Sequence, residues 1–302
     1  MKGDKNSSLP DEGQGELFLD LPVKSPETLI ARIEQPVWTE YKAKLIARYL
    51  YYFVMVTHHG TYIDGFAGPQ RPGKPGLWAA RLVLQSNPKW LRHFFLYEIN
   101  SKKIGLLSKL KANKRCLARG RTINVYHGDF NSKLRTLLRS QKIGQQEATF
   151  CLLDQQTFEC HWDTLVKLAQ YKHGSENKIE LFYFLAVRWI HRALSGIKKP
   201  QGLNRWWGRI DWRELRGLKQ DEIRDRFVAR FKDELGYKSV VPWPIFKRRG
   251  SEIIMYYMIH ASDHPEAPKL MSRAYRKVVK PKESHQQLRL ELGLPPLNAD
   301  AT

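Results

Sequence analysis

Apolar residues along this chain follow two different spacings, and the alternation between them predicts the fold. Over residues 38–57 they recur every three or four positions, which forms one face of an amphipathic helix. Farther along, they form short continuous runs of the kind found in strands buried on both faces. Strands followed by helices predict right-handed βαβ crossovers and a mostly parallel sheet. The predicted strands lie at 62–64, 93–97, 122–126, 148–153 and 179–185, and the predicted helices at about 77–84, 101–121 (with a loop) and from 161 onward.

The pattern changes after residue 197. Residues 198–218 are rich in Lys, Arg and Trp, and an amphipathic helix follows at about 220–235. Two strand-like runs at 240–246 and 252–260, joined by a basic turn, predict an antiparallel hairpin at one edge of the sheet. A last helix is predicted at about 267–279. The predicted organisation is a tail over 1–26, a Rossmann-like α/β domain over 27–280 with a basic, Trp-rich helical insertion at 198–236, and a loose tail over 281–302.

An acidic residue ends each of the first four predicted strands: Asp64, Glu98, Asp129 and Asp154. In parallel α/β sheets, ligands bind at the carboxyl ends of the strands. Glycines in the turn after the first strand allow the backbone to approach a cofactor closely. The predicted cofactor-binding residues are Asp64, Gly65, Phe66, Ala67, Gly68, Pro69, Glu98, Asn100, Asp129 and Phe130.

Two of these acidic residues have an alternative structural role. Glu98 is placed to accept hydrogen bonds from both ribose hydroxyls of a nucleotide cofactor, or to cap the helix that begins near Asn100, and the two roles are compatible. Asp129 is placed to hold the exocyclic amine of adenine, with Phe130 against the ring. Equally, Asp129 or Asn131 caps the next helix.

The net charge of the chain indicates which class of partner it attracts. A formal net charge of +21 and an isoelectric point near 9.9 attract polyanions and favour nucleic-acid binding. Tryptophans interleaved with arginines suit stacking on bases, although the same tryptophans also suit packing of the insertion onto the core. Lysines near the start of the first helix are either ligand contacts or a solvated face. The predicted nucleic-acid-binding residues are Lys42, Lys44, Arg205, Trp206, Trp207, Arg209, Arg213, Lys247, Arg248 and Arg249.

Other chemistries find little support in the sequence. The three cysteines have no CxxC spacing, which favours reduced thiols over a disulfide framework, and no metal-ligand motif occurs. No GxGxxG follows the first strand, which argues against a nicotinamide-dependent oxidoreductase. No apolar run approaches 18 residues and no apolar signal segment is present, so we expect a soluble, cytoplasmic protein.

The strand ends carry a resemblance to a known family. The segments Tyr62–Pro69, Phe95–Asn100, His127–Phe130 and Leu152–Phe158 are similar to motifs of the three-Cys-motif partner (TcmP) proteins, within the class I S-adenosylmethionine-dependent methyltransferase fold. The lead-in helix from Trp38 and the segment Tyr256–Ser262, followed by His264 and Pro265, also match, so the likeness spans roughly residues 38–279. The resemblance implies S-adenosylmethionine as the cofactor. It also implies a separate partner protein with a three-cysteine motif, similar to radical-type iron–sulfur proteins.

The resemblance also implies an acceptor site after the fourth strand, at Asp154, Gln155, Gln156 and Phe158. Family members usually have Asp-Pro-Phe/Tyr-Gly there, like the motif of amino-methylating enzymes, in which an aromatic residue stacks on a flipped base. Gln155 stands in place of the proline and lacks its fixed φ. From the family resemblance and the positive charge of the chain, we predict a methyltransferase acting on a DNA or RNA base. The alternative is a nucleic-acid-binding scaffold that keeps the nucleotide pocket but has reduced catalysis.

Overall fold

A seven-stranded sheet with the strand order β3-β2-β1-β4-β5-β7-β6 forms the centre of the molecule. The computed structural model describes residues 37–71, 73–173, 175–196, 200–247 and 252–279, and the predicted tails at 1–26 and 281–302 lie outside them. The strands are β1 (Thr61–Asp64), β2 (His93–Glu98), β3 (Thr122–His127), β4 (Thr149–Leu153), β5 (Glu180–Leu185), β6 (Ser239–Phe246) and β7 (Ile254–Ser262).

Strands β1 to β5 run parallel to one another, while β7 is antiparallel to both β5 and β6. The C-terminal hairpin therefore adds to the β5 side of the sheet, with β7 inserted between β5 and the edge strand β6. This is the Rossmann-like sheet of class I methyltransferases, and it confirms the predicted fold class. The helices are α1 (Val37–Thr57), α2 (Ala79–Gln85), α3 (Ser101–Lys111), α4 (Phe130–Arg139), α5 (Trp162–Gln170), α6 (Val187–Gly196), α7 (Gln201–Trp207), α8 (Gln220–Asp233) and α9 (Ala267–Val279).

Alternate residues of the central strands supply two separate aromatic and aliphatic layers. On one face, Tyr62, Phe150 and Phe182 pack beneath α1, whose Tyr49 ring centroid lies 5.0 Å from that of Phe182. On the other face, residues such as Ile63 join a large core with α4 to α8. Burial on both faces explains why these strands appear in the sequence as continuous apolar runs.

The Trp-rich insertion is part of this second core. Trp206 and Trp212 are almost completely buried, and the Trp206 indole Nε1 donates to the Tyr183 hydroxyl of β5 at 2.8 Å. The insertion consists of α7 and a 3₁₀ turn at Asp211–Leu215, which lead into α8. Farther upstream, the helix predicted at 77–84 begins at Ala79, because a 3₁₀ turn at Pro75–Leu77 comes before it.

Candidate functional site at the carboxyl edge of the sheet

The loop after β1 is tied to both neighbouring strands. Gly65 N donates to the Leu152 carbonyl of β4 at 3.0 Å, and Ala67 N donates to the Tyr97 carbonyl of β2 at 2.7 Å. The Trp78 indole donates to the Ala67 carbonyl at 2.6 Å. These bonds hold the loop against the carboxyl edge of the sheet, where the predicted acidic residues meet.

Asp64 is a buried carboxylate at the base of this loop. Its side chain accepts hydrogen bonds from the Tyr62 hydroxyl at 2.9 Å and from Phe66 N at 3.1 Å, and the residue is 1% exposed. Burial raises the pKa of Asp64 to about 7, although the two hydrogen bonds favour its charged form. A positively charged group bound beside Asp64 would therefore be favoured, because it would stabilise the ionised carboxylate.

Glu98 lies next to the loop and is held by backbone groups on both sides. Its Oε2 accepts from Gly68 N at 2.9 Å and its Oε1 accepts from Asn100 N at 2.8 Å. Each carboxylate oxygen keeps a second acceptor position, which suits the paired hydroxyls of a ribose. The cap of α3 is Asn100 itself, whose side chain accepts from Lys102 N and Lys103 N.

The two loop glycines are required by close contacts. A Cβ on Gly65 would lie 2.7 Å from Cδ1 of Phe130, and one on Gly68 would lie 2.0 Å from Oε2 of Glu98. Neither distance is tolerable for a side-chain carbon. The sequence Gly-Phe-Ala-Gly therefore brings the backbone onto the Glu98 carboxylate, a contact that a side chain at Gly68 would prevent.

At the end of β3, the helix-capping alternative is realised. The Asp129 carboxylate accepts from Asn131 N at 3.1 Å and Ser132 N at 3.2 Å at the start of α4. The Phe130 ring is buried beneath the loop and lies 5.1 Å from the Tyr97 ring, centroid to centroid. The ring is therefore enclosed by protein and does not offer an open face to adenine.

Ile99 provides an apolar surface that sequence reasoning missed. Its side chain is 67% exposed directly after Glu98, at the edge where the carboxylates meet. A large exposed aliphatic group beside a carboxylate suits the flat face of a purine. The signal was available in the sequence, as an isoleucine directly after a strand-terminal acid.

The end of β4 carries a buried ion pair. Lys42 of α1 lies with its Nζ 2.5 Å from Oδ1 of Asp154, and the two side chains are 7% and 11% exposed. The same ammonium lies 4.5 Å from the centroid of the Phe184 ring. Burial raises the pKa of Asp154 above its usual range even though Lys42 favours the charged form. Lys42, one of the predicted nucleic-acid contacts, thus faces the predicted acceptor site.

The other predicted acceptor residues have different surroundings. Gln155 is buried, donates to the Phe184 carbonyl at 3.1 Å and accepts from Cys160 N at 2.9 Å, so its amide braces the loop. Gln156 is partly exposed, and the Phe158 ring packs edge-on against Trp206 with centroids 4.9 Å apart. Gln70, which sequence reasoning did not select, approaches both Asp154 oxygens at 3.4 Å.

The predicted nucleic-acid residues divide by exposure. Trp206 and Trp207 are buried, which is the packing alternative, so neither ring offers an open face for a base. Arg209 is exposed but pairs with Glu234 at 2.8 Å. The remaining described members, Lys44, Arg205, Arg213 and Lys247, are exposed, while Arg248 and Arg249 lie outside the described residues.

Arg205 is an exposed cation whose charge acts on the end of the acceptor loop. Burial, with a contribution from the Arg205 charge, lowers the pKa of His161 at the end of that loop. Positive charge therefore reaches the segment that follows Asp154. Such a charge would attract a phosphate backbone.

Within the described residues no group of three or more His, Cys, Asp or Glu side chains has a metal-binding arrangement. Cys116, Cys151 and Cys160 are all buried and free of disulfide bonds. No helix in the described part of the chain has the length and apolar character needed to span a membrane.

No protein-family model matches this chain, and no curated protein matches it. Among solved structures, a Legionella pneumophila protein of the DUF519 family is similar, with 13% identity, a TM-score of 0.46 and coverage of 81% of this chain and 93% of that one. TYW2 of M. jannaschii, solved in complex with AdoMet, is also similar, with 12% identity, a TM-score of 0.38 and coverage of 77% and 78%. Because both TM-scores are low, the fold assignment rests on the strand order and direction of this chain.

Proposed function

We propose that this protein is an S-adenosylmethionine-dependent methyltransferase that acts on a nucleic-acid base. The observation that carries the proposal is the glycine loop after β1, which donates a backbone N–H to Glu98 beside the buried Asp64. A side chain at Gly68 would destroy this contact. In parallel α/β folds, a carboxylate of this kind at the end of the second strand binds ribose hydroxyls.

The groups at this edge fit the parts of the cofactor. Glu98 would accept hydrogen bonds from the two ribose hydroxyls, and Ile99 would cover one face of the adenine. Asp64 would face the ammonium group of the methionine part, which favours its ionised form. Bound there, S-adenosylmethionine would supply a methyl group whose carbon–sulfur bond breaks as the acceptor nitrogen bonds the carbon, with the electron pair left on sulfur and one acceptor proton released.

The residues at the end of β4 would orient the acceptor. Lys42 occupies Oδ1 of Asp154, and Oδ2 has a contact of 3.4 Å with Gln70. Oδ2 would therefore accept an N–H from the acceptor amine and hold its lone pair toward the methyl group, since alignment is the main requirement of this reaction. Phe158 would have to leave its contact with Trp206 to stack on a base.

The charge of the chain supports nucleic acid as the substrate class. The formal charge of +21 and the exposed Lys44 and Arg205 would attract a phosphate backbone. The sequence resemblance extends the proposal to a three-cysteine-motif partner protein. Cofactor binding, which depends on residues of this chain alone, should not require that partner.

A nucleic-acid-binding scaffold is the second candidate function. It is favoured by Gln155, which stands in place of proline and braces the loop with its amide, and by Lys42, which already occupies one Asp154 oxygen. On this hypothesis the cofactor pocket remains and transfer is lost. The two functions differ in whether a methyl group reaches nucleic acid.

The cofactor pocket is tested by calorimetric titration with S-adenosylmethionine and S-adenosylhomocysteine. We expect Glu98→Gln and Gly68→Ala to bind at least about tenfold more weakly than wild type, because each weakens a charge-assisted contact. Glu214→Gln is the matched control, since Glu214 is exposed and forms a surface pair with Arg226. Absence of binding by folded wild-type protein would refute the methyltransferase proposal for this chain.

The reaction is tested by transfer of tritium from the labelled methyl group to total DNA and total RNA. We expect transfer by wild type, and its loss in Asp154→Ala with cofactor affinity retained. Cofactor and nucleic-acid binding without transfer would support the scaffold instead. Comparison of the DNA and RNA arms identifies the substrate class.

A further inference from the structure

A cavity of about 430 Å³ lies at the opposite edge of the sheet from the proposed cofactor site. It opens beside the amino ends of β4 and β5, where Thr149 and Glu180 lie, and beside Ser262 at the end of the antiparallel strand β7. None of the residues proposed to bind the cofactor lines it. Its volume is within the range of about 300–1,000 Å³ typical of small-molecule sites.

The cavity has an apolar wall. One part comes from α1, with Tyr49, Phe53 and Val56, and the facing part comes from α9, with Ala267 and Leu270. These two helices pack on each other along the same face of the sheet. An occupant would therefore need an apolar body to match this wall.

The acidic group on the floor of the cavity is already satisfied. Oε1 of Glu180 is 2.9 Å from His260 Nε2, and Oε2 accepts from the Ser262 hydroxyl at 3.1 Å. The Glu180 charge and hydrogen bond add to burial in raising the pKa of Tyr49 well above its usual range. The Glu180 carboxylate therefore has hydrogen-bond partners on both oxygens within the protein. The charge of a ligand would be selected by the other charged groups of the cavity.

Lys172 is a buried cation of the cavity lining, and no carboxylate among the described residues forms an ion pair with it. It is 8% exposed, and its ammonium donates to the Glu147 carbonyl. The Glu147 carboxylate favours the charged form from farther away, but burial lowers the pKa of Lys172 to about 8. By contrast, Lys178 on the same rim pairs with Asp263 at 3.1 Å. A buried ammonium without an ionic partner is costly, and a bound anion would relieve that cost.

A second donor stands on the rim. The Nδ1 of His264 accepts a hydrogen bond from Glu266 N at 3.2 Å, so the Nε2 of the neutral ring carries the hydrogen. His264 lines the same cavity as Lys172. Both groups donate, and both suit an oxyanion.

We propose that this cavity is a second ligand site, which binds a small organic anion through Lys172 and seats its apolar body between α1 and α9. A carboxylate and a phosphate share the required chemistry. The site lies across the sheet from the carboxyl edge and does not depend on the proposed function.

Calorimetric titration with phenylacetate, phenyl phosphate and the neutral benzyl alcohol tests the proposal on the full-length protein. We expect at least one anion to bind about tenfold or more tightly than the alcohol, and the tighter anion to distinguish a carboxylate from a phosphate source. Lys172→Met should weaken anion binding about 10- to 100-fold, as expected for loss of a charge-assisted contact. Lys167→Met, which removes a partly exposed lysine outside the cavity, should bind as wild type does.

A second variant tests the cavity independently, in case Lys172→Met does not fold. Val56→Trp adds bulk at a position that lines the cavity but is 45% exposed, so it should block all three probes without disturbing the core. Binding of S-adenosylmethionine, measured on the same variants, should be unchanged. The proposal is wrong if neither anion binds better than benzyl alcohol, or if Lys172→Met binds the anions as well as wild type does.

Discussion

Replacement of Lys42 by Met should destabilise the domain far more than loss of a partly exposed lysine. The Lys42 ammonium lies 2.5 Å from Asp154 in a site where both side chains are about nine-tenths buried. Methionine has a similar volume but no charge, so it leaves the carboxylate with only the 3.4 Å contacts from Gln70 among the described side-chain donors. The perturbation therefore isolates the ionic interaction from packing.

The magnitude follows from the burial of the pair. Breaking a buried ion pair costs about 3–5 kcal/mol. Protonation of Asp154 sets an upper limit on this loss of stability, because the unpaired carboxylate can take up a proton instead. Keeping a carboxyl group with an ordinary pKa near 4 neutral at pH 8 costs about 5–6 kcal/mol. In the variant the folded pKa of Asp154 lies above the unfolded one. The lost stability should therefore return as the pH falls from 8 toward 4, by about 1.4 kcal/mol per pH unit.

Urea unfolding followed by circular dichroism, at pH 8 and pH 5, measures this effect. Lys167→Met is the control, because Lys167 pairs with Asp163 on the surface of α5, where an i,i+4 pair is worth about 0.5 kcal/mol or less. The double variant Lys42→Met/Asp154→Leu should recover most of the stability, since an apolar pair often replaces a buried ion pair at little cost. A loss below about 1 kcal/mol for Lys42→Met, or a loss that does not change with pH, would contradict the reasoning.

Two further predictions concern stability. The folded pKa of Asp64 is raised from 3.8 to about 7, so its stabilising contribution is present below pH 4 and lost as the pH rises through 7. Asp64→Asn should therefore gain up to about 4 kcal/mol over wild type between pH 4 and pH 8 in urea unfolding, and a constant difference would contradict this. Arg230 lies 3.7 Å and 4.1 Å from the Trp162 and Trp207 ring centroids and forms two bonds to Glu234. Arg230→Lys keeps the charge but should still lower the free energy of unfolding by about 2–4 kcal/mol, because lysine cannot make both ring contacts and both bonds to Glu234. A thermal midpoint equal to that of wild type would show that these contacts do not stabilise the domain.

Sequence reasoning was most successful where the evidence was local. The runs of β1, β2, β4 and β5 are apolar because both faces of each strand are covered, whereas the edge strand β3 is mostly half-buried. Since the carboxyl ends of parallel neighbours share one edge of a sheet, Asp64 and Glu98 were expected to meet there. The glycine at position 68 makes a close approach to Glu98, while its predicted approach to a cofactor stays a prediction. The family resemblance, its three-cysteine partner and the nucleic-acid substrate stay predictions.

Local patterns gave less information on which way a side chain turns. Trp206 and Trp207 lie in a segment of interleaved tryptophans and arginines that suits stacking on bases, yet their rings are buried against Phe227. Gln155 occupies the position of an acceptor residue, but its amide turns inward to the Phe184 carbonyl. Both outcomes depend on segments far away along the chain. The packing of α7 and α8 on the sheet decides the first outcome, and the neighbouring strand β5 decides the second.

The sequence by itself determined the order of helices and strands, the class of the sheet and the edge at which its acidic residues gather. Periodicity and strand direction carry that information, because they depend on neighbouring residues. Only the tertiary structure decided that Lys42 pairs with Asp154, 112 positions away, and that Lys172 lies in a cavity on the opposite edge. A buried charge takes its properties from whatever packs around it, and those groups come together only when the chain has folded.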